Sequence, residues 1–144
     1  MAATKRLNIL DALLARLTGM AGVITLQVRR NLPLQYDTQL PAIIIDPRAE
    51  IPIADEGSAS VGGLESNSWE ISIQVFSKTT DVEELLGTVY ELIMADTSDA
   101  LKTETVSVIN AGRDPNYKAD IPTGVEFIEQ LLTIKYDVLE GKKI

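Results

Sequence analysis

The carboxylates are the side chains of this sequence whose type and spacing could support chemistry. The candidate pairs are Glu83 with Glu84, Asp96 with Asp99, and Asp114 with the amide Asn116. Adjacent residues on a helix point in different directions, so Glu83 and Glu84 are better explained as acids at the positive end of a helix dipole. The other two pairs could bind a hard cation, but neither has the ligand number of an EF-hand loop. We therefore expect no metal site and no catalytic carboxylate pair.

The chain contains no histidine and no cysteine. Nucleophiles assisted by histidine, thiolate chemistry, disulfides and the usual zinc sites are therefore excluded. The segment Gly57–Gly63 is rich in glycine, but no Gly-Lys-Ser/Thr follows it to hold the phosphates of a nucleotide. We expect a protein that is not an enzyme and binds no cofactor. The alternative is a small hydrolase or isomerase that uses carboxylates alone, which the 21 acidic residues suggest.

The net charge of -8 has the wrong sign for a protein that grips DNA, because such affinity comes largely from lysine and arginine. The charge is also uneven: residues 1–30 carry five basic residues and one acid, whereas residues 81–104 carry seven acids and one lysine. Two solvated faces would explain this pattern. The alternative is a basic face of one subunit that meets an acidic face of its neighbour. Candidate residues for that interface are Lys5, Arg6, Arg29, Arg30, Glu83, Glu84 and Glu91.

Length and composition indicate one domain over residues 1–144. Hydrophobic residues make up 45% of the chain but aromatic residues only 5%, so the core must be aliphatic. No apolar run approaches the roughly 20 residues of a membrane-spanning helix. The N-terminus also lacks the hydrophobic region of a signal peptide, so we expect synthesis in the cytosol and no membrane partner.

The first half of the chain predicts one helix and two or three strands. Thr4 is placed to cap a helix from Lys5 to about Thr18, with Gly19 as its C-terminal stop. Residues 23–30 read as a strand. The run 41–46, bounded by two prolines, is typical of a strand covered on both faces. Residues 48–53 read as its continuation along a sheet edge.

The stretch 67–76 predicts the central strand, because apolar and polar residues alternate in it with a period of two. Its apolar residues should face the core, and its polar residues should face solvent. The apolar set is Trp69, Ile71, Ile73 and Val75, and the polar set is Ser68, Glu70, Ser72 and Gln74. A helix with an apolar stripe then opens at Asp81 and should pack on the apolar face.

The last third of the chain predicts two more strands. Residues 103–110 form the first, and residues 124–139 form the second, with a change of phase near 127–130 that indicates a bulge or a strong twist. Residues 140–144 should be frayed. The order of elements predicts an α+β fold with a mainly antiparallel sheet of four to five strands and two helices packed on one face.

The segment of about 55–65 is too rich in glycine and serine to pack on its own. It is either a plain long hairpin connection or a flexible hairpin that becomes ordered on contact with a neighbouring subunit. The segment Arg113-Asp-Pro-Asn-Tyr117 predicts a turn, and its arginine and tyrosine could also serve as a contact patch.

The layout resembles the tail terminator and tail-completion (neck) proteins of long-tailed bacteriophages. The resemblance is carried by the N-terminal helix, the Leu-Pro-Ala-Ile-Ile-Ile-Asp46 strand, the Gly/Ser-rich hairpin, the Trp-Glu-Ile-Ser-Ile-Gln-Val-Phe76 strand, the Asp81 helix and the long final strand. It covers nearly the whole chain in element order. No diagnostic motif assigns individual residues.

The resemblance implies a structural virion protein assembled in the host cytoplasm and located in the tail or neck. Such proteins form a ring, usually a homohexamer, that caps the tail tube, ends its polymerisation and joins the tail to the head-side connector protein. DNA would pass through the lumen without specific binding, which suits an acidic chain. A head-tail connector or a minor tail subunit is the alternative. Our candidates for contact with the tail tube protein or connector are Gly57, Ser58, Ser60, Gly62, Gly63, Arg113 and Tyr117.

Overall fold

The computed structural model describes residues 4–20, 22–28, 40–52, 64–78, 81–112 and 125–139. The elements are α1 (Lys5–Leu17), β1 (Thr25–Val28), β2 (Ala42–Pro52), β3 (Leu64–Ser77), α2 (Val82–Met94), α3 (Ala100–Glu104), β4 (Ser107–Gly112) and β5 (Glu126–Leu139). The strands form one five-stranded sheet in the order β1-β2-β3-β5-β4. β1 runs parallel to β2, and the other neighbouring pairs are antiparallel. The predicted α+β class with a mainly antiparallel sheet is confirmed.

Helix α1 begins and ends where the sequence predicts. The Thr4 hydroxyl accepts a hydrogen bond from the backbone N–H of Leu7 at 3.2 Å, so Thr4 is the N-cap. At the other end the backbone turns through Gly19, whose φ of +87° is a conformation that side chains disfavour. α2 opens in the same manner, with the Asp81 carboxylate accepting from the backbone N–H of Glu83 at 2.9 Å.

The main core lies between the helices and one face of the sheet, which we call the helix face. A single cluster of buried residues joins α1, α2 and α3 to the inward side chains of β2, β3 and β5. Trp69, Ile71, Ile73 and Val75 belong to it, as their alternation predicts. Packing of two helices on one face is therefore confirmed. α3 is a third helix that periodicity did not indicate, because it has only five residues and begins at the Asp99 cap.

The opposite face of the sheet, which we call the open face, carries its own buried residues. Leu40, Ala42, Ile44 and Phe76 form a second apolar cluster, and Val125 and Phe127 pack against it. Ile43 and Ile45 belong to the main core, so β2 is buried on both faces here, as predicted. β1 pairs only with residues 42–45 of β2. The later part of β2 therefore has a described partner on one side only, β3, which agrees with its prediction as an edge.

The prediction that the polar side of the central strand faces solvent is wrong at Ser72 and Gln74. Their exposed fractions are 0% and 3%. Ser68 and Glu70 are half-buried. Ser72 and Gln74 are buried because polar side chains of β2 and β5 lie over them on the open face and hydrogen-bond with them, as described below.

The bulge predicted in the last strand lies in its neighbour instead. β5 pairs with β3 in one continuous register from Glu126 to Leu139, so it contains no bulge against β3. The irregularity is in β4 between Asn110 and Gly112, opposite Leu131. The apparent change of phase in the sequence arises because Phe127 packs against the second apolar cluster, on the open face.

Candidate functional site

A bulge in β2 divides the polar residues of the sheet into two groups. Pro47 pairs with Ile71 and Glu50 pairs with Trp69, so β2 uses one residue more than β3 over this interval. An extra residue reverses the alternation of side chains. Arg48 therefore points to the open face, whereas Glu50 points to the helix face. The Trp69 indole Nε1 donates a hydrogen bond to the backbone carbonyl of Arg48 at 3.1 Å and so holds the bulge.

On the open face, five polar side chains from three strands form a buried network, which we call the open-face cluster. Its members are Asp46, Arg48, Ser72, Gln74 and Glu129. Arg48 Nη2 lies 2.5 Å from Glu129 Oε2, which also accepts a hydrogen bond from the Ser72 hydroxyl at 2.7 Å. Gln74 Nε2 donates to Asp46 Oδ2 at 3.1 Å and to the Ser72 hydroxyl at 3.3 Å. Arg48 Nε lies 3.7 Å from Asp46 Oδ2.

The open-face cluster contains two carboxylates and one guanidinium. The Glu129 side chain is 5% exposed, and its Oε1 has no hydrogen-bond partner. A buried carboxylate is tolerated when a cation and donors surround it. The arrangement therefore makes Glu129 dependent on Arg48, and it joins β2 to β5 across β3.

On the helix face, Glu50 meets two partners beneath α1. Its carboxylate forms an ion pair with the Arg6 guanidinium and accepts a hydrogen bond from the Tyr136 hydroxyl. Burial raises the pKa of the Tyr136 hydroxyl above its usual value, and the hydrogen bond to Glu50 raises it further. The Tyr136 hydroxyl therefore stays protonated and donates its hydrogen bond to Glu50. This contact fastens the first turn of α1 to the sheet.

The other end of α1 is fastened by Arg16. Its Nε and Nη2 bind both carboxylate oxygens of Asp99 at 2.8 Å. Nη1 donates to the backbone carbonyls of Ile93 at 2.6 Å and Ala95 at 2.7 Å, and Nη2 donates to that of Thr97 at 3.1 Å. These carbonyls lie at and after the end of α2, where no further helical turn can satisfy them. The guanidinium thus ties α1 to the connection between α2 and α3.

The hydrogen bonds from Arg16 hold the pKa of the Asp99 carboxyl below its usual 3.8. A carboxyl whose pKa is lowered by folding contributes stability above its unfolded pKa and loses it as the pH falls through the folded value. We expect Asp99→Asn, which keeps a capping side chain, to lower the free energy of unfolding by about 1 kcal/mol at pH 7.

Urea denaturation of both proteins at a series of pH values checks this expectation. The difference between them should be constant above about pH 5 and should shrink below pH 3.8, as Asp99 becomes protonated in the folded state. A difference that persists unchanged to the lowest pH would contradict an ionic contribution of Asp99.

The residues predicted to form a subunit interface are only partly within the described ranges. Lys5 Nζ lies 2.7 Å from Glu104 Oε2, and Arg6 is paired with Glu50, so both cations have partners inside the chain. Glu83, Glu84 and Glu91 are exposed on α2. The structure does not bring these basic and acidic residues together within one chain. Arg29 and Arg30 lie outside the described residues.

The residues predicted to contact the tail tube or connector also lie outside the described residues. They are Gly57, Ser58, Ser60, Gly62, Gly63, Arg113 and Tyr117. Within the part of the chain that the structure does describe, no three acidic side chains converge as a metal site. None of the described helices has the length and apolarity needed to cross a membrane.

Sequence reasoning missed Arg16 and the open-face cluster. A signal for Arg16 existed, because it lies one helical turn after Ala12 and Leu13 and therefore borders the buried stripe of α1. No comparable signal existed for Glu129 or Arg48, because their burial depends on strands that are distant in sequence.

No protein-family model matches the sequence, and no curated protein matches it at a significant level.

Proposed function

We propose that this chain is the subunit of a tail-terminator ring, a homo-oligomer that caps a phage tail tube and offers its other face to the head-side connector. The resemblance of the element order supports this assignment. The observation that carries it is the character of the two sheet edges. Among the described residues, β1 and β4 each pair on one side only.

Both edges carry exposed apolar side chains. Ile24, immediately before β1, is 64% exposed, whereas Val106 and Ile109, before and within β4, are 64% and 44% exposed. Unpaired strand edges with apolar side chains promote association unless a partner covers them. The edges differ in length and in strand pairing, and a head-to-tail ring requires two different patches on each subunit. Copies of the same chain are therefore suitable partners.

Charge would set the register between the copies. Lys5 and Arg6 are engaged inside the chain, so the basic side of the interface rests on Arg29 and Arg30, which directly follow β1 in the sequence. The acidic side is the exposed row on α2. Exposed ion pairs contribute about 0 to 1 kcal/mol each, so buried apolar area must supply most of the affinity.

Reversing the charge of α2 should dissociate the ring. We expect the triple variant Glu83→Lys/Glu84→Lys/Glu91→Lys to sediment as a monomer under conditions in which the unaltered protein has the mass of a closed ring. Adding Arg29→Glu/Arg30→Glu to that variant should restore the ring, because the charges on the two sides of the interface are then exchanged and are again opposite in sign. Glu126→Lys, a reversal of an exposed acid on β5, is the control and should leave the mass unchanged.

A monomer in the unaltered protein at high concentration that also fails to bind tail tubes would contradict the ring proposal. If the ring forms, electron microscopy of particles lacking the protein identifies its role. Headless tubes of excessive length indicate a terminator, and filled heads without tails indicate a connector.

A further inference from the structure

The last residues of β2 can pair with β3 in two ways. In the observed register the bulge places Glu50 opposite Trp69, Ile51 opposite Ser68 and Pro52 opposite Asn67. Without the bulge, the pairing of Pro47 with Ile71 would continue regularly and would shift each later residue by one position. Ala49 would then lie opposite Trp69, and Ile51 opposite Asn67.

The sequence pattern favours the register that is not observed. Arg48 and Glu50 are charged, and they alternate with the apolar Ala49 and Ile51. In a regular strand such a pattern puts the charged residues on one face and the apolar residues on the other. The bulge removes this match between the sequence pattern and the two faces of the sheet, because it turns Glu50 toward the core beneath α1.

Specific contacts hold the observed register. The Glu50 carboxylate has its ion pair with Arg6 and its hydrogen bond from Tyr136. The bulge carbonyl of Arg48 has its hydrogen bond from Trp69. Of these, the contact with Arg6 is supplied by α1, and it is the one that neutralises the buried charge. Without it, a carboxylate would remain against the Tyr136 ring with no cation.

The hydrogen bonding of buried polar groups is also incomplete at this end of the helix face. Asn67 Nδ2 is buried and has no hydrogen-bond partner among the described residues. In the observed register a buried polar atom thus lies without a partner beside a main core that is apolar.

We propose that the end of β2 is a two-state register switch that is set by the docking of α1. With α1 seated, Arg6 holds Glu50 on the helix face and the bulge is present. With α1 displaced, the strand slips by one residue, Glu50 turns to the open face and Ile51 takes the position opposite Asn67. Pro52 then moves by about 3.3 Å along β3.

The coupling works in both directions. A partner that displaces α1 would shift the end of β2, and a partner that fixes the end of β2 in the bulged register would strengthen the docking of α1 by the same free energy. The switch involves described residues alone and does not require the proposed ring.

Engineered cysteine pairs report the register directly, because the chain has no cysteine of its own. The pair Ile51→Cys/Ser68→Cys is opposed in the bulged register, and the pair Ile51→Cys/Asn67→Cys is opposed in the regular register. Opposed residues of neighbouring strands are close enough for a disulfide after a small adjustment. Positions 67 and 68 lie on opposite faces of the sheet, so neither pair can substitute for the other. The initial rates of oxidation of the two pairs give the register ratio.

In the otherwise unaltered protein we expect cross-linking through positions 51 and 68. In an Arg6→Met background the ratio of 51–67 to 51–68 cross-linking should rise about tenfold or more, because Glu50 loses its cation. Adding Glu50→Leu to Arg6→Met should restore the original ratio, because an apolar residue suits the helix face in the bulged register. An Arg6→Met protein that still cross-links only through 51 and 68 would overturn the proposal.

Two further variants complete the test. Lys5→Met removes an ion pair between α1 and Glu104 without touching β2, and it should leave the ratio unchanged. A shift as large as that of Arg6→Met would overturn the role assigned to Glu50. If Arg6→Met does not fold, Trp69→Phe removes the hydrogen bond to the bulge together with part of the buried ring, and it should shift the ratio in the same direction. An unchanged ratio in Trp69→Phe would then refute the switch.

Discussion

Replacing Arg16 with methionine should strongly destabilise the fold. The Arg16 side chain is 7% exposed, so methionine can fill much of its volume but cannot satisfy its partners. The change leaves Asp99 without its cation and removes the Arg16 hydrogen bonds to three backbone carbonyls at and after the end of α2, of which those of Ala95 and Thr97 keep a backbone donor. Loss of one partner from such a network costs about 3 to 5 kcal/mol when both are buried, and Asp99 is one-third exposed, so we expect about 2 to 4 kcal/mol.

Thermal unfolding followed by circular dichroism measures this effect. A chain of this length loses about 3 °C in Tm per kcal/mol, so Arg16→Met should melt roughly 6 to 12 °C lower. Arg16→Lys should recover less than half of the loss, because lysine lacks the fork that binds Asp99 with two parallel hydrogen bonds.

Lys102→Met is the matched control for Arg16→Met. It removes an ion pair with Asp96 whose two side chains are 54% and 87% exposed, and it should change stability by less than about 1 kcal/mol. If Arg16→Met has an effect as small as this control, Arg16 does not clamp α1 to the α2–α3 connection.

The second large effect is expected from Arg48→Met. Among the residues that the structure describes, this substitution leaves the buried Glu129 with only the Ser72 hydroxyl as a hydrogen-bond donor. We expect a loss of about 2 to 4 kcal/mol in urea denaturation. The double variant Arg48→Met/Glu129→Met should be more stable than Arg48→Met alone, because it also removes the buried Glu129 charge, while Asp46 keeps its hydrogen bond from Gln74.

A double-mutant cycle separates this coupling from simple loss of packing. The interaction energy between positions 48 and 129 should be about 2 kcal/mol. Lys5→Met, whose ion pair with Glu104 has both side chains 24% exposed, should cost no more than about 1 kcal/mol. A double variant that is less stable than Arg48→Met by the full cost of a Glu129→Met single variant would show that the two residues act independently.

Local patterns predicted the elements that have a strong local cause. The caps at Thr4 and Asp81, the glycine after α1 and the alternation through Trp69 to Val75 each act within a few residues, and each is observed. The order of helices and strands then led to the α+β class. Such features could be predicted because the chain neighbours that cause them are visible in the sequence.

The polar contacts could not be predicted in this way. Ser72 and Gln74 have the pattern of solvent-facing residues, and they are buried because Arg48 and Glu129 reach over them from other strands. The bulge that aims Arg48 and Glu50 at opposite faces contradicts the alternation of its own segment. In both cases tertiary contacts outweigh the local preference. The same holds for Lys5 and Arg6, whose partners inside the chain are 99 and 44 residues away in Glu104 and Glu50.

The contact between Arg16 and Asp99 can form only late during synthesis on the ribosome. Arg16 and Asp99 are separated by 83 residues, so α1 lacks its main polar anchor until the chain beyond α2 has been translated. At 5 to 20 residues per second this interval lasts roughly 4 to 17 s. During that time the apolar stripe of α1 is available to chaperones, and any factor that shields nascent chains should bind this protein before residue 99 leaves the exit tunnel.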